Sequence, residues 1–104
     1  MKSKSTVYES SLELLKDMAR EVFKGENVTV ILFGSRGRGD HLETSDMDVG
    51  ILARKEMDES KVALLREKIE TSNIPYKVDV VDLSQASKEF TQVVLREGVI
   101  IWQS

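Results

Sequence analysis

Hydrophobic and polar positions alternate along the chain in two periods, one helical and one strand-like. From Thr6 to Lys24, apolar residues recur at helical spacing between charged residues, and Gly25 follows where a helix C-terminus favours glycine. A β-branched run from Val28 to Phe33 then predicts a buried strand. The apolar residues of the first segment that we expect to lie in the core include Tyr8, Leu12 and Leu15.

The middle of the chain predicts a strand followed by a helix. The strand extends from Met47 to Ala53, and Asp48 interrupts its apolar pattern. Asp58 and Ser60 are alternative N-caps for the helix, which continues to about Ser72. The helix positions that we expect to face the core are Val62, Leu65 and Ile69.

The last third of the chain predicts strand, helix and strand. A strand covers Tyr76–Val81, Ser84 caps a helix that Gly98 closes, and Val99–Trp102 forms a terminal core or edge strand. The inward positions of this helix are Phe90, Val93 and Val94. The order α-β-β-α-β-α-β predicts an α/β (α+β) fold, in which a four-stranded mixed sheet carries helices mainly on one face.

Composition narrows the chemistry that this chain can perform. Its 104 residues predict one domain spanning 1–104, and the net charge of −3 disfavours direct nucleic-acid binding. The absence of cysteine excludes disulfides, iron–sulfur ligation and a thiol nucleophile, and a single histidine excludes a two-histidine metal motif. Neither a signal sequence nor a membrane span of ~20 apolar residues is predicted, so we expect a cytoplasmic protein. Carboxylates, hydroxyls and backbone groups remain for chemistry.

Three glycines occur within residues 34–39, directly after the first predicted strand. Glycine permits close approach of the backbone to a ligand, and successive N–H groups after a strand form an anion-binding nest. Ser35 adds a hydroxyl, while Arg36 and Arg38 add guanidinium groups suited to phosphate oxygens. A hairpin turn with two solvated arginines is the alternative interpretation of these residues alone.

Two carboxylates separated by one residue open the second strand. Because strand side chains alternate, Asp46 and Asp48 share a face, whereas Met47, Val49 and Ile51 point to the other. Two like charges on one strand face repel each other unless a cation lies between them. An exposed edge with two acids is the alternative, but it does not explain why an apolar strand is interrupted. The pattern favours a metal site.

A third carboxylate is expected to complete this site. Asp79 lies inside the third strand between two valines, whereas Asp82 lies at its end, where turn formation explains it. We therefore assign Asp79 to function and Asp82 to structure. Oxygen ligands of this kind select Mg²⁺ or Mn²⁺ over zinc, and three carboxylates beside a phosphate nest indicate two ions, roughly 3.5–4 Å apart.

These motifs together resemble the DNA polymerase β-like nucleotidyltransferase superfamily. Gly34-Ser35, ten intervening residues and Asp46-Met47-Asp48 match its signature, and the fuller string is similar to its smallest branch, the minimal nucleotidyltransferase (MNT) domains. The similarity covers nearly the whole chain. One departure is Gly37, where the family more often has alanine.

The resemblance implies a role for each residue of the motif. Gly34 and Ser35 correspond to the residues that hold the β- and γ-phosphates, and Asp46 and Asp48 correspond to metal ligands. Asp79 corresponds to the residue that binds one metal ion and helps to activate the acceptor hydroxyl. The basic positions of the family's turn, which contact triphosphate or acceptor, correspond to Arg36 and Arg38.

The same resemblance implies an activity and a partner. It implies transfer of AMP from ATP, with pyrophosphate leaving. Because the chain's ~100 residues form only the catalytic sheet, the acceptor is expected in trans, in a hetero-oligomer. MNT domains are paired with a helical HEPN protein, often a ribonuclease toxin. The resemblance therefore predicts an antitoxin that AMPylates a hydroxyl, usually that of tyrosine, on this partner.

Two other functions are consistent with the same residues. A non-catalytic antitoxin could mask its partner sterically and use ATP as a structural ligand. A nucleotidyltransferase could instead modify a small molecule and use a helical subunit to build its pocket. His41 lies between the turn and the second strand, and we interpret it as an incidental surface residue.

Overall fold

The computed structural model describes residues 4–33 and 47–104, with side chains from residue 7 onward. These ranges contain four strands and three α-helices, which confirms the predicted α/β class. The elements in chain order are α1 (Lys4–Val22), β1 (Val28–Phe33), β2 (Met47–Ala53), α2 (Ser60–Glu70), β3 (Val78–Asp82), a 3-10 helix (Leu83–Gln85), α3 (Lys88–Glu97) and β4 (Val99–Gln103).

The four strands form one mixed sheet in the order β3-β2-β1-β4. β1 pairs antiparallel with both β2 and β4, and β2 pairs parallel with β3. The register between β1 and β4 shifts between Val30 and Ile31. The central strand β1 is buried along nearly its whole length, as its β-branched run predicts. β3 and β4 are the edge strands of the described sheet.

The larger core lies between the sheet and helices α1 and α2. The strand residues that alternation predicts to face inward are buried there, including Met47, Val49 and Ile51. The predicted stripe of α2, Val62, Leu65 and Ile69, is also buried. From α1, Leu15 is fully buried, and Tyr8 and Leu12 pack against the cluster as half-buried side chains, as predicted.

A smaller core covers the opposite face of the sheet, where α3 packs. It is built on Ile31, Leu83 and Val94, so two of the three helices pack on one face, in agreement with the predicted distribution. The prediction that Val93 also faces inward is wrong, because this side chain is 39% exposed. Phe90 lies on the same helical face as Val94 and packs against Phe33, but it remains 40% exposed. Neighbouring helical residues point about 100° apart, so a helix that buries Val94 turns Val93 away from the sheet.

The N-cap predicted for the last helix is also wrong. Ser84 donates its amide and hydroxyl hydrogens to Asp82 Oδ1, at 3.0 and 2.6 Å, so Asp82 caps the N-terminus of the 3-10 helix. Ser87 caps α3 instead, since its hydroxyl oxygen accepts from the Phe90 amide at 3.1 Å. The two hydrogen bonds from Ser84 confirm the structural role of Asp82. The third strand begins at Val78, two residues later than predicted.

Neither candidate cap lies directly before α2: that residue is Glu59, whose side chain makes no capping bond, but Asp58 accepts hydrogen bonds at the start of the helix. Ser60 donates its amide and hydroxyl hydrogens to Asp58 Oδ1, at 3.0 and 2.7 Å. These two bonds lower the pKa of the Asp58 carboxyl from its ordinary value. α1 ends at Val22, two residues before its predicted end, and Gly25 has a positive φ of 86° in the turn that follows.

None of the helices in residues 4–33 and 47–104 has the length and apolar character needed to cross a membrane.

Adjacent leucines of α2 provide a test of the larger core. Leu65 is fully buried, whereas Leu64 is 43% exposed. We expect Leu65→Ala to lower the free energy of unfolding by about 2–5 kcal/mol because it leaves a cavity. Leu64→Ala, the same chemical change on the same helix, is expected to alter it by about 0.5 kcal/mol or less. Urea denaturation measures both, and equal losses would contradict the assigned helix orientation.

The lowered pKa of Asp58 makes the stability of the α2 N-terminus depend on pH. A carboxyl with a lowered pKa in the folded state stabilises above its ordinary pKa, and this contribution is lost as the pH falls through the lowered value. Asp58→Asn keeps an oxygen acceptor for Ser60 but does not titrate there. We expect wild type to lose stability relative to this variant as the pH falls below the ordinary aspartate range. Thermal unfolding at several pH values measures the difference, and a pH-independent difference would contradict this role.

Candidate active site

The parallel pair β2–β3 brings two of the predicted acidic residues together. Asp48 of β2 and Asp79 of β3 are direct register partners, although they lie 31 positions apart in the chain. Adjacent strands lie about 4.8 Å apart, and paired residues project their side chains from the same face. The two carboxylates are therefore neighbours on one face of the sheet.

Alternation along the strands determines which face carries the acids. Met47 and Val49 of β2 and Val78 and Val80 of β3 pack toward α1 and α2. The acids consequently project from the opposite face, which α3 and the 3-10 helix partly cover. Asp48 is half-buried there and Asp79 is exposed. The pair thus stands where solvent, a cation or a substrate can reach it.

The chemistry of this pair suits a hard divalent cation. Two carboxylates this close repel each other, and a cation between them removes that repulsion. Their oxygens are the ligands that Mg²⁺ and Mn²⁺ prefer, so Asp48 and Asp79 fit the predicted metal. Within residues 7–33 and 47–104, no group of three His, Cys, Asp or Glu side chains is assembled that could hold an ion. The predicted third ligand, Asp46, lies outside the described residues.

The predicted phosphate-binding residues also lie outside the described residues, as does His41. Their sequence position relative to β1 is nevertheless informative, because the last residue of β1, Phe33, is the register partner of Asp48. The glycine-rich segment therefore follows directly on a residue paired with the acidic site. The residues of this segment that are predicted to bind phosphate are Gly34, Ser35, Arg36 and Arg38.

An apolar wall adjoins the carboxylates on the same face. Gly50 lies two residues after Asp48, and a Cβ atom added there would stand 2.9 Å from the Cδ1 atom of Leu83. The 3-10 helix therefore packs directly on the bare backbone of β2. Beside it, the rings of Phe33 and Phe90 meet edge to face with centroids 5.8 Å apart. Sequence patterns alone do not predict this wall, because its members come from four separate elements.

Arg66 of α2 is a further residue beside the site that the sequence analysis missed. Its Nε and Nη2 atoms donate to the Val80 carbonyl oxygen at 3.2 and 2.7 Å. Val80 directly follows Asp79, so this contact fastens the outer edge of β3 beside the acidic pair. The available signal was helical spacing, since Arg66 follows Val62 by four residues and precedes Ile69 by three, beside the buried stripe.

Residues 15–104 match the family described as polymerase beta, nucleotidyltransferase. The chain is 32% identical over 73 residues to a probable protein adenylyltransferase MntA of Haemophilus influenzae, over 70% of this chain and 64% of the relative. It is 34% identical over 73 residues to the protein adenylyltransferase MntA of Shewanella oneidensis, over 70% of this chain and 52% of the relative. The chain thus spans about half to two thirds of the length of these curated relatives.

Solved structures share the fold. A crystal structure of a toxin–antitoxin with AMP-PNP matches 86% of this chain and 73% of that chain, at 26% identity and a TM-score of 0.63. A structure of the tri-AMPylated Shewanella oneidensis HEPN toxin in complex with MNT antitoxin matches 89% of this chain and 73% of that chain, at 25% identity and a TM-score of 0.59.

The family match covers residues 15–104, and those structures share the fold of this chain, in which the mixed sheet carries Asp48 and Asp79. The chain belongs to the polymerase beta nucleotidyltransferase family.

Proposed function

We propose that this chain is a metal-dependent nucleotidyltransferase that transfers AMP from ATP to a tyrosine hydroxyl of a HEPN-type toxin and thereby acts as an antitoxin. The register pairing of Asp48 with Asp79, in a chain of this family, is the observation that carries the proposal. It supplies two neighbouring carboxylates on an accessible face, which is the minimum that a divalent metal site of this chemistry requires.

The relatives support the choice of nucleotide and acceptor. Two of them are named as protein adenylyltransferases, and the toxin in one related complex is described as tri-AMPylated. Another related complex is described as containing AMP-PNP, an adenine nucleotide. These descriptions favour ATP as the donor and a protein as the acceptor for this chain too. A hetero-oligomer in the cytoplasm is part of the same proposal.

In the proposed site, Asp48, Asp79 and Asp46 would hold Mg²⁺ or Mn²⁺, with two ions expected. When bound, such ions would supply positive charge beside the phosphates. Gly34 and Ser35 would hold the β- and γ-phosphates. The remaining predicted contacts with triphosphate or acceptor come from Arg36 and Arg38.

Asp79 has the second role of orienting the acceptor. It is the more exposed acid of the pair, so a hydroxyl from another molecule reaches it first. Its carboxylate accepts the hydroxyl proton as the hydroxyl oxygen attacks the α-phosphorus. A new oxygen–phosphorus bond forms, the bond from the α-phosphorus to the bridging oxygen breaks, and pyrophosphate leaves with that oxygen. Correct placement of the hydroxyl is itself a large part of such catalysis.

Metal dependence of nucleotide binding tests the site without any partner. We expect ATP with Mg²⁺ to raise the melting temperature, with a stabilisation of about 2.7 kcal/mol at 100 times the dissociation constant. ATP with a chelator should raise it much less. Asp48→Asn removes a metal ligand and part of the like-charge repulsion, so it should abolish the Mg²⁺-dependent shift while leaving the metal-free stability level or higher. Equal shifts with and without Mg²⁺ would contradict the metal assignment.

Transfer to the partner tests the catalytic role of Asp79. Wild type, Mg²⁺ and ATP should add AMP to the HEPN-type partner, whereas Asp79→Asn should bind that partner without modifying it. Asp82→Asn is the matched control, because Asp82 lies in the same strand but contacts Ser84. Intact-mass spectrometry and a pull-down measure modification and binding. A partner that is neutralised by both wild type and Asp79→Asn, without added AMP, would instead support steric masking.

A further inference from the structure

The outer edge of β3 presents backbone groups away from the sheet. On the inner side, the Met47 amide donates to the Lys77 carbonyl at 2.9 Å, so main-chain groups of alternate β3 residues, Asp79 among them, face β2. On the outer side, the Val80 carbonyl accepts from Arg66 of α2. In a strand, the N–H and C=O groups of one residue point to the same side, and those of the next residue point to the opposite side. The groups of Val78 and Val80 therefore point outward.

Two grooves follow this edge and meet at Arg66. One, of about 570 Å³, is lined by Tyr76, Lys77 and Asp79 together with apolar residues of α2 and β3. The other, of about 470 Å³, is lined farther along by Val81, Asp82 and Gln85. Both include Arg66 and Val80 in their walls. A surface depression therefore accompanies the edge of β3, and Asp79, one of the two acidic site residues, is part of its wall.

Arg66 already donates hydrogen bonds to one outward backbone group of this edge. An exposed guanidinium satisfies the Val80 carbonyl at the place where the next strand of a sheet would donate an amide. Charged side chains at edge strands commonly prevent uncontrolled pairing with other chains. The contact thus shows that the Val80 carbonyl faces out of the sheet, where Arg66 occupies it.

The alternation of side chains between the two faces of the sheet determines which residues of an added strand would lie beside the carboxylates. A residue opposite Asp79 on such a strand would project from the face that carries Asp48 and Asp79. The three side chains would then form a row across adjacent strands at a spacing of about 4.8 Å. The apolar edge strand β4, with Ile100 55% exposed, cannot serve in this way because three strand spacings, about 14 Å, separate it from β3.

We propose that the acceptor segment of the partner protein adds to the outer edge of β3 as an extended strand, with its hydroxyl residue opposite Asp79. The inference rests on the proposed function, and it specifies how the acceptor is recognised. Recognition through main-chain hydrogen bonds gives affinity with little dependence on neighbouring side chains. Selectivity then comes from register, since only a hydroxyl residue at the position opposite Asp79 meets the carboxylate pair.

A backbone-methylation series of peptides tests this mode of binding. The probe is a synthetic peptide of roughly ten residues centred on the partner residue that becomes modified. N-methylation of every second amide should lower AMP transfer about tenfold or more, because it removes hydrogen bonds to β3, and methylation of the intervening amides should not. The two sets of peptides are matched in composition and differ only in which side of the strand is blocked.

Hydrogen exchange on the intact complex provides a readout that does not depend on activity. Binding of the whole partner should slow exchange of the outward amides of Val78 and Val80. The amides of Asp79 and Val81 face β2 and should change little, so they are the internal control. Exchange at β4 amides should likewise stay unchanged.

The outcomes separate this inference from the proposed function. Absence of AMP on the intact partner would overturn the proposed function. AMP on the partner, with neither an alternating effect of methylation nor protection of Val78 and Val80, would overturn strand addition alone. Alternating sensitivity together with protection confined to the β3 edge would support it.

Discussion

The parallel pairing of β2 with β3 is the interaction on which the candidate site depends. It is anchored by the Met47–Lys77 hydrogen bond and by the buried side chains of Met47, Val49 and Val80. A slip of one residue would turn these apolar side chains to solvent and the acids into the core, so burial fixes the register. The neighbouring positions of Asp48 and Asp79 are therefore a consequence of the hydrophobic core on the other face of the sheet.

The two aspartates are locally unfavourable in their strands, but the strands that carry them are stabilised by the core on the other face. Aspartate is a poor strand former, and two adjacent carboxylates repel each other. The face below them is buried by α1 and α2, whose contacts stabilise the strands independently of the acids. Departures of this kind from local preference are expected where a protein binds a ligand or performs chemistry.

The two edges of the described sheet differ in chemistry. β3 is bordered by Lys77, Asp79 and Arg66, whereas β4 exposes Val99 and Ile100. Charged groups beside β3 limit indiscriminate pairing and still leave its main chain pointing outward. This asymmetry, together with the location of Asp79, makes the β3 edge the side from which an acceptor reaches the carboxylates directly.

Local patterns in the sequence determined the order of the elements, the outward position of Asp48 and the structural role of Asp82. Each follows from residue periodicity or from contacts within a few residues. The same local rules could not identify Ser87 as the cap of α3, because the preceding turn offers a second serine that Asp82 occupies. They also could not show that β3 lies beside β2, that Arg66 meets the Val80 carbonyl, or that Phe90 stays partly exposed. These features depend on packing between segments distant in the chain, which only the tertiary structure decides.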